Sequence, residues 1–218
     1  MVFYQSASMT SILFIVCAYL IGSLSFAVIV SRAFGLPDPH SYGSGNPGAT
    51  NVLRTGRKAA ALITLLGDGG KGWLAVFAAI KLAPQFALGP EVIAGVFLAV
   101  FLGHIYPVFF GFRGGKGVAT ALGVLLAVDP WLGLAALATW LVIFALFKIS
   151  SLSAIIAAVT APLYDLAMAG PRLLTASIVV MSVLLLWRHS ANIRRLLAGE
   201  EGKVGNKPAV AAPSEKGQ

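Results

Sequence analysis

Residues 43–54 read Gly-Ser-Gly-Asn-Pro-Gly-Ala-Thr-Asn-Val-Leu-Arg, a run of small hydrogen-bonding residues that ends in a cation. This composition suits a phosphorylated ligand. Gly43, Gly45 and Gly48 let main-chain N–H groups approach an anionic oxygen, while Ser44, Asn46, Thr50 and Asn51 supply side-chain donors. Arg54 can pair with two oxygens of one anion. A flexible turn between helices is the plainer alternative. A second stretch, Gly114-Gly115-Lys116-Gly117-Val118-Ala119-Thr120, sets a lysine among glycines just before an apolar run. Unpaired N–H groups and a favourable dipole at the start of that run would make it an anion cradle, and a snorkelling lysine in a turn is the competing reading. It lacks the spacing of a nucleotide-binding Walker loop. The third stretch, Arg188-His189-Ser190-Ala191-Asn192-Ile193-Arg194-Arg195, places Arg188, Asn192 and Arg195 on one stripe of a continuing helix, with His189 three residues from Asn192. One histidine, a candidate general base, then sits among cations. On periodicity alone, an interfacial helix whose arginines grip lipid headgroups is the better reading.

A membrane must position these clusters. The chain has 218 residues, 58% hydrophobic and only 11% charged, more apolar surface than one soluble core of this size hides. Apolar runs at 11–30, 59–80, 91–110, 118–128, 130–147, 152–169 and 173–187 predict an all-α polytopic bundle of about seven transmembrane helices. The fourth run is too short for a roughly 30 Å hydrocarbon core, and must borrow from the glycine-rich turn, tilt little or re-enter. An odd number of spans puts the termini on opposite sides. The face reached after the first, third, fifth and seventh runs receives Arg32, Arg54, Arg57, Lys58, Arg113, Lys116, Lys148, Arg188, Arg194, Arg195, Lys203, Lys207 and Lys216; the other receives Lys81 and Arg172. By the positive-inside rule the rich face is cytoplasmic and the N-terminus external. The formal charge of +8 therefore reads as topology, and no nucleic-acid partner is expected.

All three polar clusters fall on that cytoplasmic face. Residues 1–10 hold no Lys or Arg, so the first run is expected to be a retained helix, not a cleaved signal. Cys17 lies within it and has no second cysteine to pair with. Residues 1–201 read as one membrane-embedded domain, and 202–218 as a disordered cytoplasmic tail without chemistry. Within the second run, Asp68 and Lys71 form an i, i+3 pair. Intramembrane charges are costly and usually paired or functional, so Lys71 either orients the first loop or neutralises a ligand phosphate. His104 reads as a buried structural histidine.

Taken in order, the 43–54 stretch, Asp68 with Lys71 and Gly72, Gly103-His104 with Pro107 and the 114–120 stretch, and Arg188-His189 with Asn192, Ile193, Arg195 and Leu196 resemble the bacterial acyl-phosphate:glycerol-3-phosphate acyltransferase (PlsY) family. The resemblance runs from about residue 11 to residue 201. It implies an enzyme of phospholipid biosynthesis, multi-pass in the bacterial inner membrane with its active site facing the cytoplasm. The reaction implied is transfer of a fatty acyl group from acyl phosphate to glycerol 3-phosphate, giving 1-acyl-glycerol 3-phosphate (lysophosphatidic acid) and phosphate. No metal or organic cofactor is implied, and the donor would come from a partner acyltransferase that forms acyl phosphate. Carried onto this chain, Ser44, Arg54, His189 and Asn192 would be catalytic. Gly43, Gly45, Asn46, Gly48, Thr50, Asn51, Lys71, Gly114, Gly115, Lys116, Gly117, Thr120 and Arg188 would bind the substrates. One departure is His40, where the family often carries Arg, which would weaken phosphate affinity if that Arg touches phosphate. An acyl phosphate is already an activated anhydride, so a covalent intermediate on Ser44 is not required. The competing class is a small transporter of phosphorylated solutes, against which stand the one-sided polar groups and the lack of an inverted repeat. A structural scaffold leaves the polar loop and the Arg-His helix without a purpose.

Overall fold

The computed structural model describes residues 2–204, with side chains from residue 9 onward; the expected tail at 205–218 lies outside the described residues. Among the described residues every regular element is helical: α1 (Val2–Gly22), α2 (Phe26–Ala33), α3 (Ala49–Leu53), α4 (Lys58–Leu82), α5 (Pro90–Ile105), α6 (Val118–Val128), α7 (Pro130–Phe147), α8 (Ser150–Ala169), α9 (Leu173–Arg188) and α10 (Ser190–Leu197), with short 3-10 turns at Ala83–Phe86 and Val108–Phe110. Helices are what hydrocarbon permits, because each pairs its backbone groups internally. The chain is an integral membrane protein.

The seven apolar runs reappear, but not as seven plain spans. Lys58–Phe86, Pro90–Phe110, Pro130–Phe147 and Ser150–Ala169 are each long and apolar enough to cross. The first and last runs are bent pairs, by 42° between Met9–Gly22 and Phe26–Ala33 and by 61° between Leu173–Arg188 and Ser190–Leu197. The expected continuing helix after Arg188 is thus broken at His189. The fourth run stays a helix of 11 residues and borrows nothing from the turn before it.

The first break explains a charge. Between α1 and α2 the carbonyl of Leu24 falls outside the helical ladder, and Lys71 Nζ donates to it at 2.6 Å while also donating to Asp68 Oδ1 at 2.8 Å. In hydrocarbon an unpartnered carbonyl costs several kcal/mol, so this lysine closes a backbone gap. Lys71 is 4% exposed and lies off the cavity described below, which corrects its expected substrate contact. Asp68 also lies 3.5 Å from His104 Nδ1, so the buried carboxylate joins α4 to α5.

Small residues bring the backbones together. A Cβ on Gly72 would sit 2.4 Å from the Thr120 carbonyl oxygen, and one on Gly123 would sit 1.9 Å from that of Gly69, so α4 and α6 touch main chain to main chain. Thr120 Oγ1 donates to Asp68 O at 2.9 Å. Thr120 is fully buried in this contact and off the cavity, so its expected ligand role gives way to a helix-helix bond. Gly22 and Gly103 do the same for α1 and α5. Phe97, Phe101, Ile105, Val76, Val100 and Val124 fill the centre, while α7, only 17% buried, faces lipid over most of its surface.

Replacing Lys71 alone by Met strands Asp68 and the Leu24 carbonyl, and is expected to cost about 3–5 kcal/mol. The check is the thermal midpoint and monodisperse yield in detergent, with Asp68→Asn/Lys71→Met expected to recover part of the loss. A folded single variant with weakened anion affinity would instead make Lys71 a ligand contact.

Candidate functional site

A cavity of about 1100 Å³ opens where the three polar stretches meet. Its walls come from the first loop and α3, the start of α6, the break between α9 and α10, and the first turn of α8. Distant segments of the sequence thus share one chamber.

The first loop is held by one side chain. Asn51, 2% exposed, accepts from the Ser44 N–H at 3.0 Å and donates to Pro39 O at 2.8 Å and Tyr42 O at 3.1 Å. Its amide is therefore engaged in shaping the loop, and any effect on a ligand is indirect. Gly43 makes this possible, with φ of +59° and no room for a Cβ beside Asn51 Oδ1 at 2.3 Å. Gly43, Ser44, Asn46, Gly48, Thr50, Asn51 and Arg54 line the chamber, and Gly45 does not. Thr50 Oγ1 lies 3.3 Å from Ser150 Oγ, which ties the loop to α8. The Arg54 side chain makes no ion pair among the described residues.

In the second stretch the glycines divide their tasks. Arg188 donates from Nε to Gly115 O at 3.1 Å and from NH2 to Gly114 O at 2.8 Å, and the Gly115 N–H donates to His104 O at 3.2 Å. A Cβ on Gly114 would meet His104 O at 2.1 Å. Gly114 and Gly115 are therefore spacers that let two loops close, not the expected cradle, and neither lines the cavity. Arg188 reaches the cavity with part of its donors already engaged. Lys116, Gly117, Val118 and Ala119 form the wall. Gly117, at φ +87°, turns the chain into α6 so that the helix's unpaired first N–H groups meet the chamber.

At the α9–α10 break, His189 is 2% exposed and its Nδ1 lies 2.8 Å from Leu185 O. A carbonyl only accepts, so Nδ1 carries the proton and the neutral ring keeps its lone pair on Nε2. Asn192 accepts from Lys116 Nζ through Oδ1 and donates from Nδ2 to Glu201 Oε1 at 2.5 Å. Glu201 also accepts from Ser151 Oγ at 2.6 Å and Arg195 Nε at 2.6 Å. Burial works against its charge, but these three hydrogen bonds hold its carboxyl below the usual carboxylate range. Burial likewise lowers Lys116, to about 8, against the pull of Glu201 and with help from Arg195, Arg188 and Arg54.

Sequence reasoning missed Glu201 and the serines of α8, although an acidic pair directly after a basic helix was a visible signal. The start of the expected inert tail is also corrected: Gly202 and Val204 line the cavity, and the Val204 N–H donates to Lys148 O at 2.8 Å. His40 lies elsewhere. Its ring bridges Asp38 Oδ1 at 2.6 Å and Arg113 O at 2.9 Å beside a separate cavity of about 330 Å³. Among the described residues no three of His, Cys, Asp and Glu come close enough to hold a metal ion.

Away from the loops the same chamber becomes apolar, walled by Leu122, Leu125, Leu137, Trp140, Ala158 and Met181. One chamber therefore joins a cationic, donor-rich end to a hydrocarbon-like slot.

A family model described as glycerol-3-phosphate acyltransferase matches residues 12–199. A glycerol-3-phosphate acyltransferase of Thiobacillus denitrificans is 59% identical over 199 residues, covering 91% of this chain and 100% of the relative. That of Cupriavidus necator is 58% identical over 202 residues, covering 93% and 100%. Among solved structures, PlsY (YgiH), described as an integral membrane glycerol 3-phosphate acyltransferase, in its glycerol 3-phosphate form is similar at a TM-score of 0.84 and 39% identity, covering 90% of this chain and 96% of that one. Its lysophosphatidic acid form gives 0.82 and 38%, covering 89% and 95%.

A lysine lowered to about 8 carries its full charge only below that value and loses it as pH rises through it. Affinity for methyl phosphate, a monoester already dianionic above about pH 7, is expected to weaken through about pH 8 when followed by calorimetry. Lys116→Arg is expected to remove that limb. A flat profile in the wild-type protein would take Lys116 out of the anion contact.

Proposed function

The chain belongs to the glycerol-3-phosphate acyltransferase family, and we propose on that premise that it transfers a fatty acyl group from acyl phosphate to glycerol 3-phosphate. The products are 1-acyl-glycerol 3-phosphate and inorganic phosphate. The observation that carries this reading is the single chamber whose cationic end continues into an apolar slot. One end suits phosphate groups, the other a fatty chain, and the reacting carbonyl falls between them. The cation-rich loops at that end support a site facing the cytoplasm, where a water-soluble acceptor can reach it.

Two groups of donors, from different segments of the chain, suit two phosphates. Arg54 with Ser44 and Asn46 forms one, and Lys116 with the start of α6 forms the other. The acceptor hydroxyl attacks the acyl carbonyl, the bond from carbonyl carbon to bridging oxygen breaks, and phosphate departs with the electron pair. The atoms balance when the hydroxyl proton ends on that phosphate, so no proton leaves the site. His189 Nε2 accepts the hydroxyl's hydrogen bond and sets its direction, while Asn192, locked between Lys116 and Glu201, holds the lysine in place. Cations around the departing oxygens stabilise the charge that develops there. No covalent intermediate is needed, and no His or acidic side chain bonds the Ser44 hydroxyl among the described residues.

The donor is tested with purified protein, radiolabelled glycerol 3-phosphate and either hexadecanoyl phosphate, hexadecanoyl-CoA or hexadecanoyl-acyl carrier protein. Product from the acyl phosphate alone is expected; product from either thioester alone would overturn the donor assignment. His189→Gln keeps a hydrogen-bonding group but no basic nitrogen, and is expected to lower kcat about 10²–10⁴-fold if the histidine carries the proton in the transition state. A loss below about tenfold would mean that phosphate takes the proton directly and that His189 only orients the alcohol.

A further inference from the structure

The smaller cleft, of about 330 Å³, shares no lining residue with the chamber. Arg32 reaches it from α2, Asp38 and His40 from the first loop, and Phe109 and Arg113 from the segment after α5. We propose that this cleft binds the headgroup phosphate of an anionic phospholipid of the surrounding leaflet, held between the guanidinium groups of Arg32 and Arg113. The carboxylate in the cleft belongs to Asp38, and His40 takes it up. Asp38 Oδ1 accepts from the His40 backbone N–H at 2.9 Å and lies 2.6 Å from the ring Nδ1. The backbone bond foremost, with the ring's help, holds the Asp38 carboxyl below the usual carboxylate range. Neither arginine forms an ion pair among the described residues. Two like charges from separate segments thus converge on one cleft without a carboxylate of their own, and a phosphate can pair with both. The volume, enough for roughly ten waters, admits a phosphate with its glycerol.

Position selects a lipid phosphate over a free one. Arg32 lies in the last turn of α2, which ends the first bent span, and Arg113 follows Phe110, where the span Pro90–Phe110 ends. Both guanidinium groups therefore stand at the boundary between hydrocarbon and water, on the face where the polar loops gather. Basic pockets between span ends are where headgroups are held. Beside the two arginines, Phe34, Phe109 and Phe112 leave 41%, 56% and 58% of their surface uncovered. Rings at this level rest among the upper acyl chains. A ligand that meets the arginines and Phe109 together has a phosphate head and apolar chains, whereas a free phosphate gains only the first contact. The cleft has no apolar slot behind it, so the chains stay in the leaflet and only the head is bound. A lipid so held bears on the second polar loop, because Arg113 O lies 2.9 Å from His40 Nε2 and the next carbonyl, Gly114 O, accepts from Arg188.

The test uses the full chain carrying Phe109→Trp in phosphatidylcholine nanodiscs. Brominated phosphatidylglycerol or brominated phosphatidylcholine is mixed in at equal mole fraction. Bromine on the acyl chains quenches an indole that the lipid touches, and the same titration of the parent protein gives the background of its native tryptophans. The added indole is expected to show a preference for phosphatidylglycerol over phosphatidylcholine of about fivefold or more, the scale set by one basic side chain at a membrane surface. Arg32→Gln/Arg113→Gln, added to the same protein, is expected to bring that preference close to one while the native tryptophans are quenched as before, which shows the variant folded in the bilayer. Equal quenching by the two lipids before the arginines are changed overturns the site, whatever the triple variant does. A preference that survives without the arginines overturns it too. Relief of the quenching by millimolar inorganic phosphate would make a free phosphate the ligand and overturn the lipid.

Discussion

A Cβ on Gly123 would sit 1.9 Å from the carbonyl oxygen of Gly69, so α4 and α6 meet with nothing but backbone between them. That approach fixes the depth at which α6 starts, and so fixes where Lys116 and Gly117 present themselves. It also brings Thr120 onto the Asp68 carbonyl, beside the buried pair in which Lys71 closes the Leu24 gap. The bend in the first span, the buried ion pair and the second polar loop are thus mechanically one assembly. A side chain at either glycine would push α6 outward and move the anion site with it.

The cations are sorted by what they touch. Arg188 is drawn to the carbonyls of Gly114 and Gly115, and Arg195 to Glu201, so both line the chamber with donors already engaged in holding its wall. Arg54 and Lys116 are left facing the interior with capacity for an anion. Two positive groups crowded in a partly buried space repel one another, which contributes to Lys116 falling to about 8. A phosphate relieves that repulsion. Glu201, the acidic side chain closest to this group, binds Ser151, Asn192 and Arg195 and thereby keeps the α9–α10 break, α8 and the final described residues in register. At the far end of the bundle the buried charge is Asp165, and it is fully engaged by Arg172 and Thr175. A transport pathway would ask for free polar groups at both ends.

Much of the site was legible because it depends on residue types the membrane makes expensive. Polar side chains do not gather beside long apolar runs without cause, so the 43–54 loop, Lys116 and His189 stood out, and Lys116, His189 and most of that loop line the chamber. Asn51, Gly114, Gly115 and Thr120 stood out for the same reason yet face other protein groups. Composition identifies donors and spacers but not the direction in which each points. Lys71 shows the limit most clearly. Its partner carbonyl, on Leu24, is 47 residues away and exists as a free acceptor only because the first span breaks.

By itself the sequence determined the class of structure, since so many apolar residues in runs of this length can satisfy their backbone in lipid only as helices. It also pointed to the kind of ligand, because glycines, amides and isolated cations together favour phosphate. Only the tertiary structure decided which of those residues line the chamber and which bond other protein groups, because that choice is made by contacts between segments far apart in the chain. It decided, too, how a helix of 11 residues is held, because the backbone contact of α6 with α4 exists only once the two helices have packed.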